Sequence, residues 1–245
     1  MDKETKQIRQ EEVEYHQQFY QEHELFEEGT WLEEPIPSVM DAFQLIRQKP
    51  NLRILDLGSG VGRHSIPIAK DIKSRGGIIV CVDLLEEAVE NLNHYAKEYD
   101  VQQVVEAVQS DIGDYRMKEN QFDFIIAVSS LEHTSSETAF REVLTRMERG
   151  TKPGGINCII INAEASDQQE EKTMEIDKPT EELLSELDLH YKGWEKINRF
   201  IEPLAFQTVR GGESMWLYAR AITYVVRKNE QSNGFQSEMK IDQNT

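Results

Sequence analysis

The sequence predicts an α/β fold: three layers, with a mostly parallel seven-stranded sheet, helices on both of its faces and an antiparallel final strand. Three observations lead there. Compact apolar runs of strand length alternate with helical segments from Leu52 to about residue 163. A glycine-rich turn joins the first of these strands to the first core helix. The last two strand-like runs follow one another with only a Gly-Gly turn between them, which calls for antiparallel pairing.

Residues 1–28 are rich in Glu and Gln, with Ile8, Val13, Tyr15, Phe19, Tyr20 and Phe26 scattered among them, and suggest a partly amphipathic helical leader ended by Gly29. TWLEEPIPS at 30–38 holds two prolines and reads as a loop; VMDAFQLIRQK is a short helix stopped by Pro50 and Asn51. LRILDL at 52–57 is the first strand, and the helix after it runs through Ile66, Ile68, Ala69 and Ile72. GIIVCVD at 77–83 is the second strand, followed by a helix with Leu85, Ala88, Val89, Leu92 and Ala96 on one face. VVEAVQ at 104–109 and FDFIIAV at 122–128 are the third and fourth strands. Helix 136–149 shows Phe140, Val143, Leu144 and Met147 on one face, with Gly150 placed to stop it. A Lys-Pro-Gly-Gly turn at 152–155 then leads into INCIIINA, the fifth strand. After a polar stretch comes a helix with Thr180 at its N-cap, then the strands GWEKINRF and LYARAITYVVRK.

This divides the chain into a helical lid at 1–37, a domain at 38–228 and a polar, frayed tail at 229–245. Hydrophobic residues at 38% and charged residues at 29% suit a soluble domain, and no apolar run approaches the roughly eighteen residues of a membrane span. The N-terminus has no apolar stretch behind its first charges, so the expected location is cytoplasmic. A net charge of -18 repels phosphate backbones and disfavours a nucleic-acid partner. Cys81 and Cys158 lie in strand-like runs without a second Cys or His at ligand spacing, so they read as core residues. No metal site is expected; His16 and His23 are seven residues apart on a polar helix and read as surface.

The chemistry concentrates in LDLGSGVGRH at 55–64. A strand must end, turn and launch a helix there while leaving room for a ligand against its backbone, which glycine permits. Alone, such a turn suits any dinucleotide-like ligand. A nicotinamide-dinucleotide fingerprint, however, wants Gly or Ala where this chain has Arg63, and the antiparallel ending also speaks against an NAD-dependent oxidoreductase. Asp56, Gly58, Ser59, Gly60 and Gly62 form an Asp-x-Gly-x-Gly-x-Gly pattern that resembles motif I of the class I, Rossmann-like S-adenosylmethionine-dependent methyltransferases. The resemblance implies that the glycine loop lies against the methionyl part of S-adenosyl-L-methionine and that the acid orients its amino group, directly or through water.

Asp83 ends the second strand about twenty residues past the last glycine, where an acid can accept both ribose hydroxyls, although the same position suits a helix cap. Leu84 beside it would pack on the adenine. By the resemblance, Asp111 accepts from the adenine amino group and Ile112 presents backbone to the ring. VSSLEHTSS at 128–136 looks like motif IV of small-molecule methyltransferases, which puts the backbone of Ser129 at the methionyl amino group. His133 is the candidate base or orienter near the transferring methyl, with helix capping as the alternative; Glu132 is the weaker candidate, turned toward solvent. Tyr20 joins His133 as a catalytic candidate through the lid. The resemblance runs from about Trp31 to Lys228, and its opening and ending look most like the tellurite-resistance type. It implies an enzyme acting on a small-molecule acceptor, without nucleic acid or membrane, as a monomer or homodimer; a cofactor-binding regulatory domain without turnover is the alternative.

Overall fold

The computed structural model describes residues 3–166, 176, 178–210 and 213–230. The chain runs α1 (Lys3–Glu22), α2 (Pro37–Gln44), β1 (Arg53–Leu57), α3 (Ser65–Ile72), β2 (Ile78–Asp83), α4 (Glu86–Glu98), β3 (Val105–Gln109), β4 (Phe122–Val128), α5 (Glu137–Gly150), β5 (Thr151–Ser166), α6 (Thr180–His190), β6 (Glu195–Arg210) and β7 (Glu213–Arg227). The strands form one seven-stranded sheet in the order β3-β2-β1-β4-β5-β7-β6. All neighbours from β3 to β5 pair in parallel, and β7 is antiparallel to both β5 and β6. This is the expected Rossmann-like arrangement. Its order reverses at β1, with β2 on one side and β4 on the other, so a crevice opens where β1 and β4 end.

Successive strand residues point to opposite faces, and both faces are covered. Ile54, Ile79, Cys81, Phe124, Ile126, Ile156 and Cys158 join Phe43, Ile66, Leu92 and neighbours in one buried cluster under α2, α3 and α4. Leu55, Val80, Val82, Ile125, Ile159 and Ile161 join Phe140, Leu144, Leu183 and Leu187 in the other, under α5 and α6. Both cysteines are buried free thiols. Burial pushes Cys158 up to about 12 and Cys81 further, and Cys81 Sγ donates to Ser65 Oγ at 3.2 Å.

Four sequence expectations change. The leader helix ends at Glu22, and Gly29 (φ 80°) sits in a later turn; Leu25 and Leu32 beyond the helix are buried in the first cluster, which α1 joins through Tyr20 with Phe19 packed beside it. The second helix starts two residues early because Pro37 occupies its first turn, where a missing N–H costs nothing. Lys-Pro-Gly-Gly is not a turn before β5 but an irregularity inside it: Thr151 pairs with Phe122 and Ile156 with Phe124, so the intervening residues bulge. The bulge is fastened to the end of β7 by Gly154 N–H to Lys228 O and Lys228 N–H to Gly155 O, at 2.8 and 2.9 Å. Thr180 is the first helical residue rather than the cap: Pro179 takes the cap position, and Thr180 donates through its amide and hydroxyl to the Glu164 carboxylate. The Gly-Gly turn and residues 231–245 of the tail lie outside the described residues.

Candidate active site

The glycine loop is held by main-chain bonds. Gly58 and Ser59 both donate N–H to Val82 O, at 2.8 and 3.1 Å, which ties the turn to the end of β2. Gly58 has φ 72°, and a Cβ there would lie 2.4 Å from Ser130 Cβ, so the close approach of the β1 and β4 ends requires glycine. Gly60 (φ 51°) donates its N–H to Asp83 Oδ2 at 2.8 Å, and a Cβ on it would meet the Tyr20 hydroxyl at 2.7 Å. Gly62 faces the Leu92 side chain of α4 instead.

A cavity of about 710 Å³, open mouth included, lies over the ends of β1 to β4. Gly58, Asp83, Leu84, Asp111, Ile112, Ser129 and His133 line it, seven of the expected site residues, together with Leu85 and Ser130. Ser59, Gly60, Gly62 and Asp56 are not part of the lining. Asp56 is fully buried behind the loop, where it accepts from Ser65 Oγ at 2.6 Å; burial raises its pKa to about 6. Asp83 accepts from Gly60 N–H with one oxygen and from Leu85 N–H (3.0 Å) with the other, and burial raises it as well. The Asp111 carboxylate accepts from Gly113 N–H at 2.7 Å, while Arg146 holds the same loop through the Gly113 carbonyl.

Ser129 has φ 46°, an uncommon value for a serine, and sits where β4 hands over to a short 3₁₀ turn at Leu131–His133. Its N–H is spent on Ile160 O at 2.8 Å, so its carbonyl is the main-chain group left to meet a ligand. Glu132 departs from expectation: it is 0% exposed rather than turned to solvent. Its Oε1 accepts from the amide and side chain of Asn162 on β5, at 3.1 and 2.8 Å, and burial raises its pKa. It braces the 3₁₀ turn that presents His133 to the cavity.

The cavity roof is α1, which contributes Arg9, Glu12, Val13, His16 and Tyr20. Arg9 pairs with the Asp111 carboxylate. Tyr20 is buried against Gly60, and burial together with Asp83 keeps its phenol protonated, a hydrogen-bond donor rather than a base. Phe19 stacks on Trp31 with ring centres 4.9 Å apart, and Arg63 clamps Trp31 by donating to its carbonyl and lying over its ring. Of these roof residues only Tyr20 was singled out from sequence as catalytic; His16, read as surface, lines the cavity. Positions 9, 12, 13, 16 and 20 follow the i, i+3, i+4, i+7, i+11 spacing of one helix face, and that spacing is the signal in the sequence. Among the described residues no cluster of His, Cys, Asp and Glu is arranged to hold a metal, and no helix is long and apolar enough to cross a membrane.

Residues 54–155 match the family described as Methyltransferase domain. The chain is 27% identical over 143 residues to a carboxy-S-adenosyl-L-methionine synthase of Shewanella loihica, covering 58% of this chain and 54% of that protein. It is 31% identical over 107 residues to a tRNA N(3)-cytidine methyltransferase of Danio rerio, covering 42% of this chain and 30% of that one. The chain thus spans about half or less of the length of these relatives. In fold it resembles TehB from Haemophilus influenzae, with TM-score 0.63 and 22% identity over 82% of this chain and 64% of that one.

Proposed function

From the premise that the chain carries a class I methyltransferase domain of the S-adenosylmethionine-dependent kind, we propose that it transfers a methyl group from S-adenosylmethionine to a small-molecule acceptor by in-line displacement. The observation that carries this reading is the convergence of Gly58, Asp83, Asp111 and Ser129, from the ends of four strands, on one cavity. When bound, the cofactor supplies a methyl carbon already activated by its sulfonium. The task left to the protein is positioning, which in good cases lowers a barrier by about 7 kcal/mol or more.

The residues present fit such a molecule. A carboxylate has about four acceptor positions; Asp83 uses two of them on Gly60 and Leu85 and keeps capacity for two ribose hydroxyls. Leu84 and Ile112 offer apolar walls for adenine, Asp111 an acceptor for its amino group, and the Ser129 carbonyl an acceptor for the methionyl ammonium. Asp56 acts from behind, by fixing Ser65 and the loop. Relatives with different acceptors match comparably, so the acceptor is read from the cavity. The net charge of -18 argues against nucleic acid. A cytoplasmic location, a monomeric or homodimeric state, and α1 as lid belong to the same reading.

A second reading, cofactor binding without turnover, draws on Arg9 and Tyr20, which sit on Asp111 and Gly60 as an inserted helix that blocks the site would. Isothermal calorimetry separates the main reading from its rivals at the first step. S-adenosylmethionine and S-adenosylhomocysteine bind and NAD does not; NAD binding without adenosyl binding would sink the reading.

A further inference from the structure

We propose that His16 of α1, oriented by Glu12 one turn before it, takes the proton from the methyl acceptor, so that the acceptor is an amine or hydroxyl compound still protonated at neutral pH, not a preformed anion. This rests on the methyltransferase reading above.

Three features of the roof carry it. His16 lines the cavity, with Nε2 3.6 Å from the Glu12 carboxylate and Nδ1 shielded from solvent without a hydrogen-bond partner among the described residues. An unsatisfied ring nitrogen in such a place is costly unless a ligand completes it. The ring is wedged among Tyr15, Tyr20 and Trp31, with centres 5.1, 5.7 and 5.9 Å away, so its orientation is set before any acceptor arrives. A carboxylate on the imidazole stabilises the cation formed when the ring takes a proton, a pairing common to general bases.

The charge inventory chooses the acceptor. Facing this space are Glu12 from α1, Asp83 at the end of β2 and Asp111 after β3; the arginine in the lining, Arg9, is already paired with Asp111. His133 faces His16 from the loop after β4, and Arg63 stands behind Tyr20. An anionic acceptor would enter a predominantly acidic cavity, whereas a neutral or cationic one would not be repelled. Burial, with His133 nearby, holds the His16 imidazole below its ordinary pKa against the pull of Glu12 and Asp83, so the ring is neutral and able to accept. In the step, His16 takes the proton of X–H: a hydroxyl gives it up as the O–C bond forms, whereas an ammonium gives it up first and the freed nitrogen lone pair then forms the N–C bond. The C–S bond breaks with its electron pair left on sulfur, and the imidazolium, paired with Glu12, returns the proton to solvent.

The test compares wild type, His16→Gln, Glu12→Gln and, on the exposed face of α1, Gln18→Ala. Each is given S-adenosylmethionine with aliphatic amines, with phenols, and with selenite and thiophenolate as preformed anions. We expect an amine or a phenol to be methylated, and the productive arm tells the two apart. His16→Gln should lose about 100-fold in kcat, while its Kd for S-adenosylhomocysteine stays within about three-fold, a difference worth about 0.65 kcal/mol. Glu12→Gln should lose less, and Gln18→Ala nothing. If phenols are the productive arm, an acidic phenol such as 4-nitrophenol should narrow the gap between wild type and His16→Gln. Independently of turnover, the His16 ring resonance in the S-adenosylhomocysteine complex should titrate at lower pH in Glu12→Gln than in wild type. Equal rates in wild type and His16→Gln on every acceptor, zero included, overturn the proposal. So do methylation of the anions alone and an unmoved His16 titration. Failure of wild type to bind S-adenosylhomocysteine overturns instead the reading beneath it.

Discussion

The two walls of the cavity are built by different physics. The floor is made of strand ends whose loops are fixed by main-chain bonds: Gly58 and Ser59 to Val82, Ser110 to Asp83, Ser129 to Ile160. Beneath it lie two apolar clusters with no exposed surface to speak of. The roof, α1, is polar along most of its length, and of its described side chains only Ile8 and Tyr20 are buried. It is fastened by side chains: Arg9 to Asp111, Gln21 to Glu87 at 3.3 Å, and the Phe19–Trp31 stack. Main-chain fastening tolerates most side-chain change but not a change of backbone angle or clearance. Side-chain fastening can be altered one contact at a time. On the proposed function, the wall shared by all substrates of a fold is thus the stiff one, and the wall that meets the acceptor is the adjustable one.

The sharpest attack on the floor is Gly58→Ala. A methyl group 2.4 Å from Ser130 Cβ, at φ 72°, combines overpacking with left-handed strain. Urea denaturation should show a loss of roughly 2 to 5 kcal/mol, and adenosyl-ligand binding should disappear. An alanine variant as stable as wild type would mean that the floor is softer than its bonding suggests.

Asp56→Asn probes the same wall from behind and acts in the opposite direction. The Asp56 carboxyl is raised to about 6 by burial, so between about pH 4 and 6 the native protein keeps a proton that the unfolded chain has released. Stability contributed by this residue therefore falls as pH rises through that window, by up to about 3 kcal/mol in all. The asparagine variant should lose this slope: equal to wild type near pH 4, and more stable at pH 7, in thermal melts across that range. Ser65 can still donate to the amide oxygen, so the loop should keep its shape.

On the roof, Arg9→Ala should change stability by less than about 1 kcal/mol, because the Arg9–Asp111 pair is partly solvated. Its effect should appear in binding. Freed from Arg9, Asp111 is available to an adenine amino group, and S-adenosylhomocysteine affinity should rise a few-fold by calorimetry. A fall would mean that Arg9 covers the ligand instead of competing with it.

The same contrast explains what could be read from the sequence. The order of strands and helices from β1 to α5 was legible because β1, β2 and β4 are apolar on both faces and each helix repeats on one. So was the gathering of Gly58, Asp83, Asp111 and Ser129, since parallel strands must all end on one edge. The roof was hidden, because Arg9, Glu12 and His16 on a polar helix look the same whether they face water or a cavity. Glu132 was misplaced for a related reason: its partner, the Asn162 amide, lies thirty residues away on another strand. The bulge in β5 was concealed by composition, since Lys-Pro-Gly-Gly suits a free turn as well as a bulge tied to Lys228.

The buried thiol of Cys81 gains meaning in this light. It lies in β2 beneath the glycine loop, hydrogen-bonded to Ser65, and burial holds it far above the pKa at which thiols ionise. A thiolate is the strongest nucleophile a protein has, and a sulfonium methyl is an alkylating agent. A protein that stores such an agent for a chosen recipient has to survive it. Keeping Cys81 and Cys158 protonated, inside the sheet layer, leaves no sulfur of the chain's own cysteines competent for self-alkylation.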